Sequence, residues 1–253
     1  MRKIQIVALH GFLGSGQDWD SLEQCLDPNI KNHLNNKLSF LKINLFSKNE
    51  SQITSEDLVS FKNLSRKIHQ LTDPESIKIF LGYSLGGRIG LHLLEQFGHE
   101  YSQFIFMSTH PGLTSTKEKS LRETNDLQWL MRLQNLNFDD FLKEWGQQPV
   151  FKNDLNLTKN ESDFDLKKLE FALRELSLAQ QENKEAVLKQ HSSKVKWLVG
   201  DHDSKFVDIA EQLKQKKILS GYERILNSGH RIVFDNSQSV SAIIEEIILQ
   251  LQS

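Results

Sequence analysis

A chain of 253 residues that is 38% hydrophobic and 25% charged is long enough to bury a sizeable core and too apolar to stay disordered. Its 31 lysines and arginines nearly balance 33 aspartates and glutamates, and a net charge of -2 excludes a broad cationic field for nucleic acid or an anionic membrane. Cys25 is the only cysteine, which excludes an intrachain disulfide and a cysteine-rich metal cluster and makes a cytoplasmic location the default.

The chain opens on MRKIQIVAL, where Arg2 and Lys3 precede an apolar run that stops at Leu9 without a small-residue cleavage site. This predicts a first strand, KIQIVAL (3–9), and not a signal peptide. Further short runs rich in Ile, Val and Phe follow at LSFLKINL (38–45), IKIFLGY (77–83) and SQFIFMS (102–108). They read as strands of a parallel sheet, buried on both faces. SLGGRIGLHLLEQFG (84–98) carries apolar residues at helical spacing, with Gly98 as its stop.

From 112 to 191 the alternation breaks, and only helical patterns are found: TKEKSLRETNDLQWLMRL, FDDFLKEWGQQ and DLKKLEFALRELSLAQQENKEAVLKQ. Pro149 and the polar stretch KNDLNLTKNESD (152–163) divide this insertion, which is expected to form a lid over the strand ends. Strands resume with VKWLVG (195–200) and YERIL (222–226), and the tail VSAIIEEIILQLQ (240–252) is helical, its apolar run broken by Glu245 and Glu246. No segment approaches about 18 consecutive apolar residues, so no membrane span is expected. The pattern predicts an α/β fold with a mostly parallel, doubly wound sheet, its core split into 1–111 and 192–253 by the helical insertion 112–191.

LGYSLGGR (81–88) lies between a predicted strand and a predicted helix, the context of a Gly-x-Ser-x-Gly elbow that would present Ser84. Gly82 and Gly86 leave room where a sharp turn brings backbones together. Asp203 in LVGDHDSKF and His230 in LNSGHRIVF each fall just past a predicted strand, where active sites of such sheets are found. The order Ser84, Asp203, His230 is that of α/β-hydrolases, in which the aspartate fixes the imidazole tautomer so that histidine can take the serine proton. Asp201 is the rival acid, with turn capping as its other role.

ALHGFLGSG (8–16) supplies a loop whose amide, at Phe12, would pair with that of Leu85 to hold a developing oxyanion. The loop has neither Gly-x-Gly-x-x-Gly nor the Lys-Ser/Thr of a P-loop, so no nucleotide or other cofactor is expected. His10 is expected to support its own loop, and the remaining histidines show no metal-ligand spacing, so no metal is expected.

Beyond these elements, HGFLGSGQDW (10–19), GYSLGGR (82–88), FLKEWGQQPVF (141–151), ELSLAQQ (175–181), GDHDSKF (200–206) and SGH (228–230) resemble the 2-succinyl-6-hydroxy-2,4-cyclohexadiene-1-carboxylate synthases of menaquinone biosynthesis over nearly the whole chain. The resemblance implies a lyase that removes a proton from 2-succinyl-5-enolpyruvyl-6-hydroxy-3-cyclohexene-1-carboxylate and expels pyruvate. Ser84, activated by His230, would be base or proton carrier, and the Phe12 and Leu85 amides would stabilise charge on a substrate carboxylate. Arg88, Arg122, Tyr83 and Trp145 match pocket positions of the family, and the arginine forks suit a small polycarboxylate. The family's further lid arginine has no match in KNESDFDLKKLEFALRE, where Arg174 or a lysine such as Lys168 would have to replace it. The alternatives are an esterase or carbon–carbon hydrolase with Ser84 as acyl nucleophile, or a binding protein without turnover; a monomer is the default.

Overall fold

The computed structural model describes residues 2–34, 37–154 and 158–252, except for the side chains of Lys31 and His33. Six strands form one sheet: β1 (Ile4–Leu9), β2 (Leu38–Ile43), β3 (Ile77–Tyr83), β4 (Gln103–Met107), β5 (Val195–Gly200) and β6 (Glu223–Ile225). Their order is β2-β1-β3-β4-β5-β6 and every pair is parallel. The chain therefore starts one strand in from an edge, steps out to that edge with β2, and returns across β1 to build towards the other.

Helices cover both faces. Successive strand side chains point to opposite sides, so in β1 Ile4, Ile6 and Ala8 pack with α1 (Asp20–Cys25), α2 (Pro28–His33), α10 (Ile232–Asp235) and α11 (Ser237–Gln252). Val7 and Leu9 face the other core, with α3 (Phe61–Gln70), α4 (Leu85–Phe97) and α9 (Ser204–Gln215). That second core continues into the helices between β4 and β5: α5 (Thr116–Asn135), α6 (Phe138–Gly146), α7 (Leu166–Glu175) and α8 (Glu185–Gln190). The tail helix begins at Ser237, three residues before the predicted VSAIIEEIILQLQ. Among the described residues of 112–191 the only β contact is an isolated bridge from Phe164 to Ser47; residues 155–157 of the polar stretch lie outside the described residues.

Two expectations change. The edge strands are not buried on both faces: Ser39 and Arg224 are exposed and most of β2 is half-buried, because an edge has a neighbour on one side only. Gly98 does follow the last residue of α4, but with φ of -58° it is not a left-handed stop; the chain tightens there into a 3₁₀ turn, Gly98–Glu100.

Candidate active site

The turn between β3 and α4 holds Ser84 at φ 51° and ψ -110°, a conformation in which a residue with a Cβ is strained. Its N–H is tied to the Met107 carbonyl of β4 at 2.9 Å, and α4 begins with the Arg88 N–H donating to the Ser84 carbonyl at 3.0 Å. Gly86 is needed because a Cβ there would fall on the Leu9 carbonyl oxygen and lie 2.6 Å from that of His10. The close approach sets the start of α4 against the end of β1, and with it Ser84 beside the 10–16 loop.

Ser84, Asp203 and His230 come together from three strand ends. The Ser84 hydroxyl donates to His230 Nε2 at 3.1 Å, and His230 Nδ1–H donates to Asp203 Oδ2 at 2.7 Å. Asp203 and His230 are 5% and 3% exposed, so the carboxylate acts on the ring with little screening. Asp203 also caps α9, accepting from the Phe206 N–H, and Phe206 packs on the His230 ring with centroids 4.6 Å apart. The Ser108 hydroxyl donates to the His230 carbonyl at 2.8 Å, so the imidazole is held from both backbone and ring. Asp201 accepts from the Ser228 N–H at 3.0 Å, the turn-capping role.

Phe12 and Leu85 both border a cavity of about 370 Å³ together with Ser84. The Phe12 N–H has no acceptor among the described residues, and Leu85 is the first residue of α4, where a helix leaves its amide without an internal partner. His10 supports this loop: its Nδ1–H donates to the Gly11 carbonyl at 2.7 Å and its Nε2 accepts from the Leu45 N–H at 3.0 Å. Burial, only partly offset by Asp18, lowers its pKa and keeps the ring neutral.

Arg88, Arg122 and Trp145 line the same cavity. Arg88 Nη1 donates to the Leu176 carbonyl at 3.0 Å, and its guanidinium lies 5.4 Å from the Phe61 ring centroid. Burial, reinforced by Arg122, pulls its pKa down to about 9. A buried cation in this position gains from an anion. Arg122 uses only Nε to hold Asp126, at 2.8 and 2.9 Å, and Ser177 Oγ donates to the same carboxylate at 2.6 Å. The terminal nitrogens of the Arg122 fork have no partner among the described residues. Trp145 packs against Phe12, with ring centroids 4.7 Å apart. Tyr83 is not on this cavity; it borders a pocket of about 100 Å³ next to it, on the other side of Ser84 and Trp145.

Neither Arg174 nor Lys168 takes the place of the missing lid arginine. Arg174 is exposed, pairs with Glu175 at 2.8 Å and stacks on Phe171, while Lys168 Nζ donates to the Ile53 carbonyl at 2.7 Å. It is Ala172, Leu173 and Leu176 that turn to the cavity. The third cation there is Lys205 of the DSKF segment, which has no hydrogen-bond or ion-pair partner among the described residues. Partial removal from water and the neighbouring Arg122 lower its pKa, against the pull of Asp203. Its charge was visible in the sequence, but nothing there tells which side of α9 faces a cavity. A second cluster that spacing does not reveal joins His92, Glu95 and Glu182 away from Ser84. The buried Lys184 ammonium bridges both carboxylates at 2.9 and 2.7 Å and so satisfies them.

A parallel sheet, a serine on a strained strand-to-helix turn and an acid and histidine from later strand ends define an α/β-hydrolase, and residues 5–237 match the model of the alpha/beta hydrolase fold family. The 2-succinyl-6-hydroxy-2,4-cyclohexadiene-1-carboxylate synthase of Enterobacter sp. (strain 638) is 29% identical over 96% of this chain and 91% of its own length. The synthase of that name from Yersinia pestis (strain Pestoides F) is 30% identical, over 83% of this chain and 76% of its own length. The solved structure of MenH from S. aureus superposes with a TM-score of 0.83 at 22% identity, covering 100% of this chain and 96% of that one. Within the α/β-hydrolase fold the chain belongs to the 2-succinyl-6-hydroxy-2,4-cyclohexadiene-1-carboxylate synthase family.

Proposed function

We propose that this chain is a carbon–oxygen lyase that converts 2-succinyl-5-enolpyruvyl-6-hydroxy-3-cyclohexene-1-carboxylate into 2-succinyl-6-hydroxy-2,4-cyclohexadiene-1-carboxylate and pyruvate. The observation that carries this reading is the convergence of Arg88, Arg122 and Lys205 on the cavity that Ser84 opens into, facing a substrate with three carboxylates. An ester hydrolase needs no such set of cations. His230 takes the Ser84 proton and Ser84 the ring C–H beside the succinyl ketone; the electron pair moves through the ring double bond and the C–O bond to the enolpyruvyl group breaks. The enolate that leaves takes up a proton equivalent to the one His230 gives back and becomes pyruvate, and the ring is left with two conjugated double bonds. Asp203 holds the His230 tautomer and stabilises its charge. The Phe12 and Leu85 amides hold a substrate carboxylate close to the reacting carbon and offset the negative charge that builds up beside it.

In this scheme the insertion 112–191 is a lid that supplies Arg122 and Trp145, and Tyr83 shapes the adjoining pocket. On this reading the substrate is a small polycarboxylate, and a cytoplasmic monomer that needs no cofactor is the default. Among the described residues no helix is long and apolar enough to cross a membrane. The test is incubation with the enolpyruvyl substrate, with pyruvate read by a coupled NADH assay. Pyruvate release with negligible turnover of p-nitrophenyl esters is expected; robust ester hydrolysis without pyruvate would favour the hydrolase instead.

A further inference from the structure

His110 lies three residues beyond the end of β4 and borders the cavity that holds Ser84. The Gly112 N–H donates to its Nδ1 at 3.0 Å. An amide N–H can only donate, so Nδ1 must carry the lone pair, and the proton of the neutral ring sits on Nε2. That Nε2–H has no acceptor among the described residues.

The segment is fixed on every side. Lys184 N–H donates to the Pro111 carbonyl at 2.7 Å, Gln181 Nε2 to the His110 carbonyl at 3.1 Å, and Asn183 Nδ2 to the Gly112 carbonyl at 3.1 Å. Gly112 has φ +113°, and a Cβ there would meet the Glu182 carbonyl oxygen at 2.6 Å, so no other residue closes this turn without strain. Burial, then the nearby Lys205, Arg88 and Arg122, push the His110 pKa down to about 3. Protonation would also set an N–H against the Gly112 N–H. The cavity thus holds a rigid, uncharged donor beside three cations.

We propose that His110 is a further catalytic residue, its Nε2–H donating to the succinyl carbonyl oxygen of the substrate as that oxygen gains charge. This rests on the lyase reading. Loss of the ring proton leaves a carbanion next to the ketone, and its charge is shared with the ketone oxygen. The cations serve groups that are charged before and after reaction, and bind ground state and transition state alike. A neutral donor preorganised at an oxygen that becomes charged only during the reaction stabilises the transition state selectively. Neutrality also keeps the donor from surrendering its proton to the carbanion.

His110→Asn keeps an acceptor for the Gly112 N–H but loses the donor at the Nε2 position, which separates loop support from donation. Its kcat for pyruvate release is expected to fall about ten- to a hundredfold, with KM within about threefold and the acid limb of the pH profile unmoved. Turnover within about twofold of wild type would overturn the proposal. A second measurement does not need the lyase activity: ¹H–¹⁵N NMR of the wild-type ring, assigned with the same variant. The His110 Nε2–H should persist without titrating from about pH 5 to 8. It should shift on adding levulinate, a ketone acid with the length of the succinyl chain, and not on adding valerate, which lacks the ketone. A ring that titrates in that interval, or equal shifts with both acids, would refute the proposal. A levulinate-specific shift in a protein that releases no pyruvate would keep His110 as a carbonyl donor and sink the lyase reading.

Discussion

The approach of α4 to β1 at Gly86 can be tested by adding one methyl group. In Gly86→Ala the Cβ would fall on the Leu9 carbonyl oxygen, 2.6 Å from the Leu9 carbonyl carbon and 2.6 Å from the His10 carbonyl oxygen. All three obstacles are backbone at the end of a central strand, so no side-chain rotation relieves them, and the start of α4 or the 10–16 loop must move by most of an ångström. Overpacking a well-packed core costs roughly 1–3 kcal/mol, and the upper end applies where the obstacle is rigid backbone. The same movement separates Ser84 and the Leu85 amide from the Phe12 amide, and a misplacement of about 1 Å in catalytic geometry costs on the order of a hundredfold in rate. Urea unfolding and pyruvate release measured on one preparation give both numbers. The control is Gly221→Ala, where nothing lies within 4 Å of the added Cβ, and for which stability and rate should be essentially unchanged. A Gly86→Ala protein within about 0.5 kcal/mol of wild type and fully active would refute the packing argument.

Three further outcomes follow from the same geometry. Asp203→Asn retains a cap for α9, because asparagine can still accept from the Phe206 N–H, but it presents the wrong partner to His230; kcat should fall about 10²–10⁴-fold with stability changed by less than about 1 kcal/mol. Arg88→Lys keeps the charge but loses the fork, so KM for the polycarboxylate should rise about tenfold while kcat changes little, as steady-state kinetics will show. His92 is 5% exposed and burial, helped by Lys184, pushes its pKa down to about 3. The unfolded chain therefore binds a proton below about pH 6.5 that the folded chain refuses, and stability falls as pH drops through the window from 6.5 to 3. In urea titrations His92→Phe should lose about 1 kcal/mol less than wild type between about pH 7 and 5.5; equal losses would contradict the assigned direction.

Much of the arrangement was legible because local chemistry and position agreed. GYSLGGR spans the turn from a strand to a helix, and Gly82 and Gly86 occupy places where the packing admits no Cβ, so the presentation of Ser84 could be read from spacing. Asp203 and His230 could be read from their places after strands. What escaped depends on surfaces that meet only in the fold. Lys205 follows Asp203 by two residues and looked like part of a motif, while its place on the cavity beside Arg122 is set only by the fold. The insertion's missing cation was sought at Arg174 and Lys168 because both lie in the stretch before ELSLAQQ, yet Ala172 and Leu173 of α7 and Leu176 just after it are what face the cavity. His110 gave no signal, since its tautomer is set by an amide two residues later in a turn only Gly112 can make. Tyr83 matched a pocket position of the family by resemblance, but strand alternation sends its ring to the opposite core, next to Phe234 and on the adjoining smaller pocket.

The central claim is that Ser84 moves a proton and is not acylated. Pyruvate and the absorbance of the conjugated diene should be recorded together for wild type and Ser84→Ala on the enolpyruvyl substrate. The account predicts equimolar appearance of the two products with wild type and loss of both in the variant. Full activity in Ser84→Ala, or wild type that yields neither product, would contradict it.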